Sequence, residues 1–225
     1  FLLSSIKQSN YSPKQLASVQ IAREDYLVQT TEEINRTGIH AVCSSRLGSP
    51  TETTKEFVEE KAIDMVITTT RGGSGMKHWL SEGLSSKLVH NLDIPVLLVQ
   101  STEDVDQDTP AHQKLDRILV TLDGSIHSEQ ALPYARALAT AFGSELILLI
   151  VPAVPESRNY RAPSGAIEAI RRKTVENMKD FLEAVARSLR EDGLTVRTVV
   201  SGFTPGRTIM EISEKENADM IIMTS

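Results

Sequence analysis

The chain has 225 residues, 40% hydrophobic and 24% charged, a globular balance that excludes a wholly disordered, collagen-like or coiled-coil polypeptide. Its 24 basic and 30 acidic residues give a formal charge of −6, the wrong sign for a surface that neutralises a phosphate backbone, so no nucleic-acid partner is expected. No apolar run reaches the roughly 18–20 residues of a membrane span, and the one cysteine, Cys43, excludes an internal disulfide and a multi-cysteine zinc site. That cysteine usage, with no visible signal peptide or lipidation motif, points to the cytoplasm and to no membrane partner.

In chain order, the pattern predicts a strand over 1–6 and a long helix over 13–37, ended by Gly38. A strand over 40–45 follows, with Cys43 packed inside it, then a helix over 51–61 opened by Pro50 and a strand over 65–69. Beyond a glycine-rich segment come a helix over 80–91, stopped by Pro95, and a strand over 96–99. The polar, acidic stretch 100–114 reads as a linker. The second half gives a strand at 117–122, a helix at 128–142 bent near Pro133, and a strand at 145–151. A loop at 152–165, a helix at 166–192, a strand at 195–200, a helix at 205–216 and a strand at 220–224 complete it.

Self-similarity organises these elements. Residues 38–70 align without gaps on 193–225, and nine of the 33 pairs are identical, among them Gly38 with Gly193, Pro50 with Pro205 and Asp64-Met65 with Asp219-Met220. The preceding helices match in register, Leu27 with Leu182 and Ile34 with Leu189. The chain therefore carries about one and a half copies of one unit, divided as 1–99, a linker at 100–114, and 115–225. Both ends read as buried strands, so copy one is expected to lack its first strand and helix and copy two its last. Short apolar strands such as Leu146–Val151, alternating with helices, predict a doubly wound α/β fold with a parallel sheet covered on both faces. A ligand would sit beyond the carboxyl ends of the strands.

Two segments carry candidate chemistry. Arg117–Leu122 runs into Asp123-Gly124-Ser125 and then a helix, which sets a carboxylate and a hydroxyl at a strand's carboxyl end. They suit a ribose, base or phosphate, and equally a turn with a capping serine. The run Thr69-Thr70-Arg71-Gly72-Gly73-Ser74-Gly75 follows a strand and precedes a helix; backbone N–H groups there would converge on an anion, or the glycines would form a flexible loop. Arg71, Lys77 and His78 add positive charge. Neither a Walker A loop nor a G-x-S-x-G element occurs, and the five histidines show no metal spacing. Trp79 reads as helix packing, and Arg171-Arg172-Lys173 as a solvated helix face.

The stretches VTLDGSIHSEQALPYARALA at 120–139 and DMVITTTRGGSGMKHWLSEGLSSKLVHNLDIPVLLV at 64–99 resemble the universal stress protein family, as a tandem pair over nearly the whole chain. The resemblance implies a five-stranded parallel sheet per domain, in the order 3-2-1-4-5. It implies no catalytic machinery and self-association through edge strands such as 96–99. Family members that bind nucleotide hold ATP, with Mg, between an aspartate after strand one and a G-x-x-G-x9-G-[ST] loop after strand four. Carried over, this points to Asp123, Gly124, Ser125 and Val151 in copy two and to Gly72, Gly73, Gly75 and Gly83 in copy one. Copy one departs from the loop: Thr69 stands at its first glycine and Glu82-Gly83 at its closing pair. The other branch of the family lacks the loop and does not bind ATP. Two functions are therefore expected side by side: adenine-nucleotide binding in a stress-response regulator, or action through dimerisation and protein contacts alone.

Overall fold

The computed structural model describes residues 1–70, 83–100, 114–152, 164–202 and 204–224. The chain divides into two compact units, Phe1–Gln107 and Asp108–Ser225.

Unit 2 is built on four parallel strands, β5 (Arg117–Leu122), β6 (Glu145–Ile150), β7 (Val196–Val200) and β8 (Met220–Ile222), in the spatial order β7-β6-β5-β8. Relative to the repeat this is third, second, first, fourth. Registers run Ile118 to Leu146, Leu146 to Val196 and Ile118 to Met220. Alternation divides the side chains between two faces. Ile118, Val120, Leu122, Leu146, Leu148 and Ile150 form one cluster with Ala135 and Ala139 of α5 (Leu132–Phe142) and Leu182 and Ala186 of α6 (Ser164–Glu191). Leu119, Ile147 and Leu149 point the other way, onto Ile212 of α7 (Pro205–Lys215). Helices thus cover both faces, as near-continuous apolar strands demand.

Unit 1 repeats the alternation of strands and helices in two parallel pairs of strands. Strand β1 (Leu2–Ile6) pairs in parallel with β2 (Cys43–Leu47), and β3 (Val66–Thr70) in parallel with β4 (Val96–Gln100), as two separate ladders. Helix α1 (Pro13–Arg36) packs on β1 and β2, while α2 (Pro50–Lys61) touches both β1 and α3 (Leu84–Asn91). Phe57 of α2 is buried, with the Phe1 ring edge-on at 5.6 Å and the Arg46 guanidinium over its face.

Both copies of the aligned segment form helix end, strand, helix and strand in parallel sheets, as expected. The agreement reaches the caps. Gly38 and Gly193 both take positive φ after the long helix. Ala62 and Asn217, paired by the repeat, are left-handed at φ 48° and 50°. In each copy the next residue donates back to close the helix, Ile63 N to Val58 O and Ala218 N to Ser213 O.

Two expectations are corrected. The helix placed at 128–142 is interrupted: a one-turn α4 (Ile126–Glu129) precedes α5. Pro133 brings no N–H to a continuous helix, so the break falls just before it. Cys43, expected inside a strand, opens β2 and is exposed. The strand begins where its ladder with β1 begins, Leu2 against Cys43; just before it, Ala41 N donates to Asn35 Oδ1 at 2.8 Å, and Asn35 Nδ2 to Ala41 O at 3.2 Å.

Two stability outcomes follow. Leu148 is wholly buried between helices, so Leu148→Ala should cost about 2–5 kcal/mol in denaturant unfolding of unit 2. Ala62 has a Cβ in a backbone region that disfavours one, so Ala62→Gly should raise the stability of unit 1 by about 1 kcal/mol, read by hydrogen exchange of α2.

Candidate functional site

Strand β5 delivers its last residue, Leu122, into register with Ile150 of β6, so Asp123 and Val151 leave the sheet side by side at its carboxyl end. The order β7-β6-β5-β8 reverses direction at β5. A crevice opens at such a switch point, and Asp123 stands at it. Beyond it, Gly124 turns the chain at φ 84°, with open space around the position a Cβ would take. Ser125 then caps α4, its Oγ accepting from Ser128 N at 3.1 Å.

Three further hydrogen bonds fix the turn. Ser125 N donates to Asp123 Oδ1 at 2.9 Å, Asp123 N donates to Ser128 Oγ at 3.3 Å, and the Ser128 hydroxyl donates to Ser125 O at 2.8 Å. Ser128 is buried while Asp123, Gly124 and Ser125 are exposed. Hydrogen bonds from the Ser125 hydroxyl and amide, and then from Ser128, hold the Asp123 carboxyl below the ordinary aspartate range. The site presents a fixed anion and acceptor to solvent at neutral pH. Its chemistry is that of a hydrogen-bond acceptor for hydroxyl or amine donors.

The residues named from sequence thus fall into separate places. Asp123, Gly124, Ser125 and Val151 meet at the carboxyl end of the unit 2 sheet, with Val151 half-buried against the α7 face. Gly83 belongs to unit 1, where it caps α3 at φ −76°, ψ 168°, a conformation open to any residue. Gly72, Gly73 and Gly75 lie outside the described residues, as do Arg71, Lys77, His78, Trp79 and Glu82. Sequence reasoning left Ser128 out of the site, although it locks the turn; its signal was the Ser-x-x-Ser spacing from Ser125. It also missed Ser85, whose Oγ donates to Thr69 O at 3.3 Å across the mouth of β3 and α3. Among the described residues no group of three or more His, Cys, Asp or Glu side chains is arranged to hold a metal ion, and no helix is long and apolar enough to cross a membrane.

The turn makes a pH prediction. A carboxyl with a lowered folded pKa contributes stability that is present above its unfolded value of about 3.9 and lost as pH falls through the folded one. Asp123 is exposed, so the effect on global unfolding is small, and carboxyl NMR should show its midpoint below that of free aspartate. Ser128→Ala should move that midpoint back toward the ordinary value; an unchanged midpoint would mean that Ser128 does not support the carboxylate.

With this geometry in place, comparison with known proteins is informative. The universal stress protein family profile matches residues 2–100 and again 114–225. Universal stress protein MJ0531 of Methanocaldococcus jannaschii is 29% identical over 107 residues, 48% of this chain and 62% of that protein, so the chain spans about three fifths of that relative's length. A universal stress protein from Archaeoglobus fulgidus superposes with a TM-score of 0.68 at 20% identity, over 98% of this chain and 74% of that one. The protein UspA from Lactobacillus plantarum is similar over 49% of this chain and 77% of its own, with 21% identity and a TM-score of 0.43. Two matches of the family profile, covering nearly the whole chain, show that it belongs to the universal stress protein family as a tandem pair of domains.

Proposed function

We propose that the protein is a cytoplasmic, non-enzymatic stress-response regulator that binds an adenine nucleotide, ATP with Mg, at the carboxyl end of the unit 2 sheet. The observation that supports it is the ionised Asp123 carboxylate, fixed by Ser125 and Ser128 at the switch point of the strand order. In this reading Asp123 accepts from ribose or base donors, Ser125 lies toward the phosphates, and Val151 borders the base. The residues present fit the sugar and base end of such a ligand, since an exposed acceptor and an apolar strand end stand in neighbouring registers. A nucleotide would bring its own metal on its phosphates, so no protein metal cluster is needed. The two domains, at 1–99 and 115–225 around the 100–114 linker, are read as copies of a unit whose strand order is 3-2-1-4-5.

Unit 1 is the weaker site in this proposal. Thr69 adds a Cβ where backbone would approach phosphate, and Glu82 adds like charge. Like charges about 4 Å apart cost about 1 kcal/mol in water and about 4 kcal/mol at an effective dielectric of 20.

A second reading, action through pairing with other polypeptides, draws on β4. That strand hydrogen-bonds β3 alone among the described residues, and Val99 on it is exposed. An apolar edge invites strand pairing, with a second molecule in a homodimer or with the other copy in a tandem pseudo-dimer.

Titration with ATP separates the readings. Asp123→Ala should weaken binding at least tenfold, about 1.4 kcal/mol, with the fold retained by circular dichroism. Glu82→Ser should strengthen binding at unit 1. Tight binding that survives Asp123→Ala would remove the assignment to unit 2. No nucleotide binding at all, with self-association by light scattering, would favour the second reading.

A further inference from the structure

In each unit the strand that follows the long helix is hydrogen-bonded on one side only among the described residues, β2 to β1 and β7 to β6. Successive residues of a strand turn their backbone groups to opposite edges, so the rungs show which residues face away from the sheet. Leu146 N donates to Thr195 O and Ser201 N to Ile150 O, so Thr195 and Ser201 face β6, while Val196, Thr198 and Val200 face outward. In unit 1 Leu2 N donates to Val42 O and Gly48 N to Ile6 O, so Ala41, Cys43 and Ser45 face outward. An outward row of this kind is a template for a further strand.

In both copies the first outward residue is already taken, and from the same position of the long helix. Arg190, in the last turn of α6, donates to Val196 O from Nε at 3.0 Å and from Nη2 at 2.8 Å. The repeat aligns Asn35 with Arg190 and Ala41 with Val196. Asn35 Oδ1 accepts from Ala41 N and Asn35 Nδ2 donates to Ala41 O. A guanidinium and a carboxamide share little beyond planar N–H donors, so what both copies keep is the occupation of that rung. The donors stand where the amide of an added strand would stand, about 2.9 Å from the carbonyl oxygen.

Unit 2 goes further. Glu183, two turns before Arg190 in α6, accepts from Arg190 Nη1 at 3.0 Å through Oε2 and from Thr198 Oγ1 at 2.5 Å through Oε1. One ion pair thus ties two successive outward residues, Val196 and Thr198. Unit 1 has Val28 and Cys43 at the matching positions, and Cys43 is exposed. The Arg190 and Glu183 side chains are 42% and 49% exposed, an arrangement that adds little to stability. Its value lies in where it stands.

We propose that the Glu183–Arg190 pair is a guard that keeps β7 from accepting a second strand, and that the strand it excludes is β7 of a second copy of the chain. Identical edges pair antiparallel about a two-fold axis, so each copy would bring its own Arg190 to the seam. The two donors of Arg190 fill both acceptor positions of Val196 O. An incoming strand, about 4.8 Å away, would have to displace the guanidinium to form its first rung. Asn35 does the same work at one rung beside β2.

The test is Arg190→Ala in the 225-residue chain, read by sedimentation over a concentration series and by amide hydrogen exchange at Thr198 and Val200. In the parent, exchange at both amides should be independent of concentration. The variant should associate at least tenfold more tightly than the parent, and exchange at both amides should slow at least tenfold from the lowest concentration to the highest. Unchanged protection of β6 reports that unit 2 is folded. Arg190→Asn, which gives unit 2 the group that unit 1 uses, should return both readings to those of the parent. If Arg190→Ala costs β6 its protection, Glu183→Ala, which releases Thr198 and unties Arg190, is read by the same criteria. Association no tighter than the parent's would overturn the proposal. So would association without slowing at Thr198 and Val200, since the new contact would then lie elsewhere, and so would Arg190→Asn associating as tightly as Arg190→Ala.

Discussion

Everything in unit 2 hangs on one strand hydrogen-bonded along both edges and covered on both faces. Ile118, Leu119 and Val120 of β5 are completely buried, and so are the five apolar residues of β6. Burying a Leu or Ile side chain is worth about 1.5–3 kcal/mol, so a central strand concentrates a large share of a domain's stability in a few residues. The same placement leaves its last residue at the point where the strand order reverses. Stability and the candidate site therefore share one cause: β5 is central, and Asp123 is where a central strand ends.

Unit 1 shows the converse. Among the described residues its strands pair two by two, β1 with β2 and β3 with β4, and its helices cover less apolar surface. In α1 only Leu27 is buried, while the equivalent α6 buries Leu182, Ala186 and Leu189. A long helix can keep its backbone bonds with little tertiary cover, since those bonds are internal. It cannot bury an apolar stripe without something to bury it against.

The fold class was legible in the sequence because the repeat states the same packing problem twice. A strand that is apolar throughout, such as Leu146–Ile150, has few other solutions than a covered parallel sheet. The start of β2 was not legible, because it is set by where its ladder with β1 begins, Leu2 against Cys43, and nothing in the strand's own residues records that. The Asp123 turn was visible as a motif in two senses, ligand site or capped turn. The structure shows the capped turn in full, through Ser125 and Ser128, and leaves its carboxylate facing solvent. The glycines of unit 1 were legible as composition only, and Gly83 shows the limit of that signal. Its backbone is extended, so glycine there answers to no conformational demand.

Where a glycine does answer to one, the two copies reveal a constraint that residue-by-residue alignment hides. Thr53 and Thr208 are aligned, identical and buried, each in the first turn of a helix. Each sits against a glycine in the preceding turn: a Cβ on Gly48 would lie 2.7 Å from Thr53 Oγ1, and one on Gly202 2.1 Å from Thr208 Oγ1. Both glycines also take positive φ. Yet they do not align, since Gly48 falls opposite Phe203 and Gly202 opposite Leu47. The requirement kept in both copies is a close backbone approach to a buried threonine at the sheet's carboxyl end. Its position in the chain can shift by one residue because the loop can absorb that shift. The sheet cannot, because a one-residue slip would turn every side chain of a strand to the wrong face. That difference explains why the strands and helices repeat in strict register while the loops around the candidate site do not.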